Sequence, residues 1–366
     1  MYPKKLDAAH VIAMSNISNI SKLRSLRSLF LAVFLCTLSA LSPMSLAQGL
    51  ALEKPKVSIA VGGKNLFYYL PLTIAEQLGY FKDEGLQVEI SDFAGGAKAL
   101  QALVGGSADV VSGAYEHTIN MQAKGQMITA FVLQGRAPQI VFGVSNKTMP
   151  NFTSMAELKG KKIGVSAPGS STNIMANFVL AKAGLKPTDV SFIGVGTAAG
   201  ALAALRSGQI DAISNLDPVI TMLQQKNEIR IIADTRKLAD TQAFFGGPMP
   251  AATLYASESF IKKYPNTTQA LTNAMVRALK WLQTAGPSDI IRVVPEGFLL
   301  GDRALYLDAF MKVREALSPD GRFPEQGPAT ALRTLQTFEP ELASKQIDLS
   351  KTFTNTFVNR ANAGKK

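Results

Sequence analysis

The chain has 366 residues, of which 47% are hydrophobic and 18% are charged. This composition is typical of globular proteins and unlike that of disordered chains, and the length suits more than one domain of about 100–200 residues. Cysteine occurs once and histidine twice. Cys36 and His10 both lie near the N-terminus, so a chain without that segment keeps only His117. The counts argue against disulfide frameworks, Cys/His zinc sites, iron–sulfur clusters and cysteine nucleophiles.

The N-terminal segment has the layout of a secretory signal peptide. Five basic residues and one acid precede the apolar run 29–41, and the small residues Ser45 and Ala47 follow it. We therefore expect a signal peptide over 1–47 and export of the remainder to the periplasm. An uncleaved membrane anchor is the alternative, although an apolar run of 13 residues falls short of the roughly 20 that span a bilayer. Translation could begin at Met14 rather than at the first residue.

An internal repeat organises the rest of the chain. Segments 93–113 and 195–215 align without a gap at an offset of 102 residues and share the spacing Gly-x-x-Asp-x-x-Ser. Each begins with a Gly-rich turn, continues as an Ala/Leu helix that ends at Gly, and enters a strand. Short apolar strands, 57–63 and 161–167, precede the two copies. The pattern predicts two α/β lobes with parallel sheets, and chance similarity between Ala/Leu helices is the alternative.

The loops after the strands are the candidate binding site, because ligands of open α/β sheets bind beyond the carboxyl ends of the strands. The helix entry 166–173 would offer backbone N–H groups and a positive helix end to an anion. Glycines at the other helix entries let a backbone approach a ligand closely, and aromatic side chains commonly line such clefts. The candidate ligand-binding residues are Asn65, Tyr68, Gly95, Gly96, Tyr115, Arg136, Ser170, Ser171, Thr172, Thr197, Asn215 and Asp217.

Several of these candidates have an ordinary structural alternative. The hydroxyl residues at 170–172 could form a helix N-cap. Phe67 or Tyr69 could face the ligand instead of the tyrosine between them. Arg136 could clamp an acidic group or remain a solvated loop charge. We expect His117 at the edge of the site, without a set of partners that would make it catalytic.

Four segments carry a family resemblance: YYLPLTIAEQLGYFKDEGLQVEI (68–90), AGGAKALQALVGGSADV (94–110), LKGKKIGVSAPGSST (158–172) and LRSGQIDAISNLDP (205–218). They resemble the nitrate/sulfonate/bicarbonate-type solute-binding proteins of bacterial ABC importers, a group related to thiamin-pyrimidine-precursor binding proteins. The resemblance covers roughly 55–285. It implies an α/β type II periplasmic-binding fold, in which two α/β lobes enclose a ligand cleft and a helical C-terminal part follows.

The repeat and the resemblance together predict the domain layout. Residues 48–145 are expected to form the first part of lobe one, and 146–250 to form lobe two. Residues 251–366 should return to lobe one, where the C-terminal helices pack. The chain would then leave lobe one after the strand 139–145 and re-enter it near 251–257.

The resemblance implies a periplasmic solute-binding protein that captures a small organic anion or zwitterion, such as a sulfonate, taurine, nitrate or a carboxylate. Hinge closure of the lobes would bury the ligand, and an ABC permease in the inner membrane would receive it. We expect a monomer that is not an enzyme, needs no cofactor or metal, and does not bind nucleic acid, because no basic–aromatic stripe stands out. A periplasmic ligand-sensing protein is one alternative. Another is an enzyme resembling the eukaryotic thiamin-pyrimidine synthases, although their cysteine-rich motif is missing from 48–366.

Overall fold

The computed structural model describes residues 51–299 and 301–364. The predicted signal peptide over 1–47 lies outside the described residues. None of the helices within the described ranges is long and apolar enough to cross a membrane. Ten strands fall within these ranges: β1 Lys56–Val61, β2 Gln87–Asp92, β3 Val110–Ala114, β4 Ile128–Leu133, β5 Val141–Ser145, β6 Lys162–Val165, β7 Ser191–Gly194, β8 Ala212–Asn215, β9 Ile229–Asp234 and β10 Ala252–Ser257.

The strands form two five-stranded sheets with related topologies. The first sheet has the order β2-β1-β3-β10-β4 and the second the order β7-β6-β8-β5-β9. In each sheet three strands pair in parallel, as the repeat predicts. A fourth strand runs antiparallel to both of its neighbours: β10 in the first sheet and β5 in the second. The sheets are therefore mixed rather than wholly parallel, because each antiparallel strand is the one that arrives from the other lobe.

The helices cover the sheets and extend into a helical C-terminal part. The predicted α/β fold with two lobes is confirmed: lobe one is the first sheet with helices α1–α4, and lobe two is the second sheet with α5–α8. The helices are α1 Leu70–Gln77, α2 Tyr80–Asp83, α3 Gly96–Val104, α4 Glu116–Ala123, α5 Ser171–Lys182, α6 Ala199–Ser207, α7 Val219–Gln225, α8 Leu238–Phe245, α9 Glu258–Lys263, α10 Pro265–Thr284, α11 Pro287–Val293, α12 Arg303–Val313, α13 Gly327–Gln336, α14 Pro340–Ala343 and α15 Thr356–Ala363.

The chain crosses from lobe one to lobe two earlier than the sequence predicts. β5 is an interior strand of the second sheet, where Val141 lies opposite Asn215 on one side and Asp234 on the other. The crossing is therefore the segment 134–140, and the expected boundary after residue 145 is wrong. An apolar run such as 139–145 satisfies either sheet, and its long-range partners alone decide between them.

The C-terminal helices do not pack on lobe one alone, as was expected. The long helix α10 lies against α1 and α15, and α15 also reaches β4 of lobe one. However, α12 contacts α7, and α13 contacts α5, both of which belong to lobe two. The helical C-terminal part thus touches both lobes.

Candidate functional site

Two helix entries, one from each lobe, meet where the lobes touch. The backbone N–H of Ala97 in α3 donates a hydrogen bond of 3.0 Å to the Ser170 hydroxyl, which precedes α5. Gly95 has a φ of 147°, and a Cβ there would lie 2.8 Å from the Cβ of Ala167. Two features therefore require glycine at this position: the backbone conformation and the close approach of the other lobe. Ser170 does not cap its own helix, and its hydroxyl joins the lobes instead.

A second contact between the lobes joins Asn65 and Thr197. The Asn65 side-chain amide donates to the Thr197 carbonyl, and the Thr197 hydroxyl donates to the Asn65 side-chain oxygen, both at 3.4 Å. Asp92 fixes this loop of lobe one, because its carboxylate accepts hydrogen bonds from the backbone of Gly63 and Lys64 at 2.8 and 2.9 Å. The structure thus brings together two residues that the sequence placed on separate lobes.

The aromatic residues after β1 divide between the core and the contact region. Phe67 packs against Tyr306, with ring centroids 4.6 Å apart, and so belongs to the core. Tyr68 is 1% exposed, and its hydroxyl lies beside Ser171 of lobe two without a hydrogen-bond partner in the described part of the chain. The Tyr69 ring meets the Tyr68 ring edge-on at 4.9 Å. Burial raises the pKa of both tyrosine hydroxyls, so both are neutral.

Glu116 is the first residue of α4 and lies close to Tyr68 and Tyr69. Its side chain is 3% exposed, and one carboxyl oxygen, Oε2, has no hydrogen-bond partner among the described residues. Burial raises the pKa of Glu116 to about 7. The tyrosines Tyr68 and Tyr69 are near enough for this carboxyl group to affect their own ionisation.

The neighbouring His117 is a neutral side chain. Its Nδ1 forms a 2.9 Å hydrogen bond with the Tyr255 hydroxyl, and burial lowers its pKa to about 4. The Gly169 backbone of lobe two lies close to the ring and acts on its pKa. A cavity of 310 Å³ opens on this side, between α4, the Gly169 loop and α14, with Asn120, Glu339 and Lys345 in its wall.

Further polar side chains without partners lie in and beside the crossing. Gln134 donates to the Ser112 hydroxyl at 2.9 Å, which leaves its own side-chain oxygen without a partner within residues 51–299 and 301–364. The amide group of Gln139 and the hydroxyl of Ser214 are buried in the same unpartnered state. The repeat carried a signal for one of them, because Ser214 is the counterpart of Ser112, the serine that Gln134 bonds. The glutamines follow no pattern in the sequence.

Two predicted site residues lie elsewhere. The Tyr115 hydroxyl is 2.5 Å from the Thr352 hydroxyl, and its ring packs on Phe323 in the interior of lobe one. Arg136 donates from Nε to the Glu315 carbonyl at 3.1 Å. Both side chains bond residues of the C-terminal part, and their contact with a ligand stays a prediction.

Two other predicted residues hold the loops of lobe two in place. The Thr172 hydroxyl accepts from the backbone N–H of Ser166 and bonds its hydroxyl, at 3.0 and 2.8 Å. The Asn215 amide donates to the Gly196 carbonyl at 3.1 Å. Both side chains are fully buried. They shape the helix entries that meet lobe one, and their direct contact with a ligand stays a prediction.

Asp217 is a buried partner of a cation. Its carboxylate accepts from Arg236 Nη1 at 3.3 Å and from the backbone N–H of Thr221 at 2.8 Å. Arg236 also bonds Asp234. These partners satisfy the Asp217 carboxylate inside lobe two, and its contact with a ligand stays a prediction.

Two α/β lobes that exchange their antiparallel strands and meet through their helix entries define the periplasmic-binding-protein fold. The chain belongs to the NMT1-like family, whose sequence model matches residues 52–293. The predicted resemblance to the solute-binding proteins is confirmed at the level of family and fold. No cluster of three or more His, Cys, Asp or Glu side chains placed to hold a metal ion occurs among the described residues.

Known proteins similar to this chain include binding proteins and an enzyme. A solved structure from Bordetella bronchiseptica RB50 is 62% identical and covers 86% of this chain and 98% of that chain, with a TM-score of 0.84. The alkanesulfonate-binding protein SsuA of Xanthomonas axonopodis pv. citri, bound to MOPS, is 21% identical with a TM-score of 0.65 and covers 83% and 99%. The binding protein YtlA of Bacillus subtilis strain 168 is 26% identical over 66% of this chain and 71% of that protein. The 4-amino-5-hydroxymethyl-2-methylpyrimidine phosphate synthase of Schizosaccharomyces pombe is 26% identical over 57% and 60%.

Proposed function

We propose that this chain is the periplasmic solute-binding protein of an ABC importer and captures a small organic acid or zwitterion between its lobes. The observation that carries the proposal is that two buried polar groups where the lobes meet, Tyr68 and Glu116, have atoms without hydrogen-bond partners among the described residues. Buried polar groups are normally hydrogen-bonded, so a cluster of unpartnered ones is suited to a ligand. The alkanesulfonate bound by a relative of the same fold supports this class of ligand.

The helix entries suit the acidic group of such a ligand. α3 and α5 point their N-terminal ends at the region where the lobes meet, and the Ala97–Ser170 bond shows how near they come. Backbone N–H groups and the positive helix end stabilise a sulfonate, carboxylate or nitrate there. The neutral hydroxyls of Tyr68 and Ser171 add hydrogen bonds without adding charge.

Closure of the lobes would exclude water from the ligand. The crossing segment 134–140 and the return before β10 are the two connections about which the lobes would move. The contacts Ala97–Ser170 and Asn65–Thr197 would form only in the closed state. A permease in the inner membrane would then recognise the closed form and accept the ligand.

The proposal is binding without chemical change. His117 supports it, because its low pKa keeps the ring neutral and its Nδ1 is engaged by Tyr255. The yeast synthase among the relatives makes an enzyme the competing function. A catalyst on this fold would need a reactive side chain at the contact region, and a histidine with a pKa near 4 is a weak base.

Native mass spectrometry of the exported protein tests the proposal. We expect a small molecule that stays bound under native conditions and is recovered unchanged after denaturation. Added ligand should then raise the unfolding temperature, because a hundredfold excess over Kd stabilises the folded protein by about 2.7 kcal/mol. Conversion of the recovered compound during incubation would replace the binding function with an enzymatic one.

A further inference from the structure

The contact region of the lobes holds one carboxyl group whose charge nothing balances. Glu116 is 3% exposed, and no ion pair joins it to any residue of the described ranges. Its raised pKa has burial as the main cause, and no neighbouring cation lowers it. A buried carboxyl group without a cationic partner costs stability unless it takes up a proton. The ligand is the one component of a loaded cleft that could supply the missing partner.

Three cationic side chains of the loops and strands around the crossing have hydrogen-bond or ion-pair partners of their own. Arg136 bonds the Glu315 carbonyl, and Lys64 forms an ion pair with Glu76 at 2.6 Å. Arg236 of lobe two forms ion pairs with Asp217 and Asp234. His117 is uncharged because its pKa lies near 4. Among the described residues none of these cations forms an ion pair with Glu116, and Lys124, which acts on the pKa of His117, is not among the groups that shift the pKa of Glu116.

The three side chains whose ionisation Glu116 affects are neutral. Tyr68 and Tyr69 approach it from the helical turn Phe67–Tyr69, and Tyr115 precedes it in the chain. Ser171 lies across the contact on lobe two, next to Tyr68. Burial raises the pKa of all three tyrosines, so none carries charge near neutral pH.

We propose that the ligand presents a cationic nitrogen to Glu116 Oε2 while its acidic group lies at the entries of α3 and α5. The inference rests on the proposed function and narrows its ligand to amino acids in the broad sense, such as aminosulfonates and aminocarboxylates. Simple alkanesulfonates, carboxylates and nitrate lack the group that balances Glu116. A charge-assisted hydrogen bond of this kind is about twice as strong as a neutral one.

The opposite arrangement gives the opposite pH dependence. If Glu116 kept its proton and donated it to an anionic ligand, affinity would rise as the pH falls below about 7. A cationic nitrogen instead needs the ionised carboxylate, so affinity falls toward low pH. The sign of the change between pH 8 and pH 6 therefore separates the two arrangements.

Calorimetric titration with matched pairs of compounds tests the inference. Taurine is compared with ethanesulfonate, and β-alanine with propionate, at pH 8 and pH 6, on the exported chain, on Glu116→Gln and on Glu89→Gln. Glu89 is an exposed carboxylate on the edge strand β2 and serves as the matched control. We expect the amino member of at least one pair to bind about tenfold more tightly or better at pH 8. Glu116→Gln should remove most of that preference, whereas Glu89→Gln should keep it.

The outcomes separate this inference from the proposed function. Equal or tighter binding by ethanesulfonate or propionate, unchanged in Glu116→Gln, overturns the inference and leaves the binding function intact. An affinity that rises at pH 6 also overturns the inference and leaves the binding function intact. Recovery of a compound without a basic nitrogen in the native mass spectrum has the same consequence. If no amino member binds, the inference is wrong. If in addition no compound is recovered from the native protein, the binding function falls too. Thermal unfolding of both variants confirms that they are folded.

Discussion

The two lobes each bury an acid just beyond corresponding strands of the repeat, and they treat it differently. In lobe two Asp217 follows β8, and Arg236 and the Thr221 backbone satisfy it. In lobe one Glu116 follows β3 at 3% exposure and has no cation. A buried charge with its partner inside the same lobe is part of the scaffold. A buried acid without a cationic partner, placed where the two lobes meet, is a candidate for ligand recognition.

The comparison also separates two kinds of tyrosine. Tyr115 has its hydroxyl satisfied by Thr352 and is part of the scaffold. Tyr68 is just as buried, but its hydroxyl lies without a partner beside the other lobe. Burial alone therefore does not identify the site, whereas the state of the polar atom does.

Removing the cation of the scaffold acid should have the largest effect. Arg236→Met leaves Asp217 buried without its counter-ion, which typically costs 3–5 kcal/mol, so we expect a loss of about 4 kcal/mol in the free energy of unfolding. Denaturant unfolding at pH 7 measures it. The control Arg292→Met breaks an exposed ion pair with Asp289, and such pairs contribute about 0–1 kcal/mol. Similar losses in both variants would contradict the scaffold role of Arg236.

The unpaired acid should respond in the opposite direction. The folded-state pKa of Glu116, about 7, lies above its ordinary value of 4.5, so the folded protein keeps a proton that the unfolded chain releases. Its contribution is therefore fully present below pH 4.5 and is lost as the pH rises to 7. At pH 8 Glu116→Gln should be more stable than the natural protein by about 3 kcal/mol, at about 1.4 kcal/mol per pKa unit. At pH 4.5 the two should be equal.

Unfolding curves across this pH range check the prediction, with Glu89→Gln as the control. The protein should be free of ligand, because a cationic ligand nitrogen bound to Glu116 would mask the effect of the Glu116 charge on stability. A stability difference that does not change with pH would mean that Glu116 is ionised and paired in the folded state. The contrast with Asp217 would then disappear.

The sequence predicts the architecture better than the site. The repeat and the order of motifs lead to two lobes, and Asn65, Ser170 and Thr197 do meet between them. The crossing was misplaced because the apolar strand 139–145 has no local feature that selects one sheet. The structural partners of Tyr115 and Asp217, among them Thr352 and Arg236, were not predicted because they are distant in the chain or have no recognisable spacing. The unpartnered state of Glu116 depends on every neighbour at once, and no motif encodes it.

A side chain at Gly95 should separate the lobes. In Gly95→Ala the new Cβ would lie 2.8 Å from the Cβ of Ala167 on the other lobe. Gly106→Ala is the control, because Gly106 also has a positive φ, and a Cβ there meets nothing within 4 Å. Both variants carry backbone strain of about 1–3 kcal/mol. Only Gly95→Ala should also enlarge the radius of gyration in X-ray scattering and weaken taurine binding. Equal scattering profiles would show that the lobes tolerate the extra methyl group.

The smallest effect is expected from the hydroxyl that joins the helix entries. Ser170→Ala removes the acceptor of the Ala97 N–H, and one such hydrogen bond contributes about 1 kcal/mol. Because the bond links the lobes and Ser170 does not cap its own helix α5, loss of the bond should weaken ligand affinity about fivefold and leave denaturant unfolding nearly unchanged. Ser207→Ala is the matched control, since its hydroxyl bonds the Ala204 carbonyl within α6. If Ser170→Ala lowers stability as much as affinity, Ser170 belongs with Asp217 in the scaffold, and the contact region is narrower than the structure suggests.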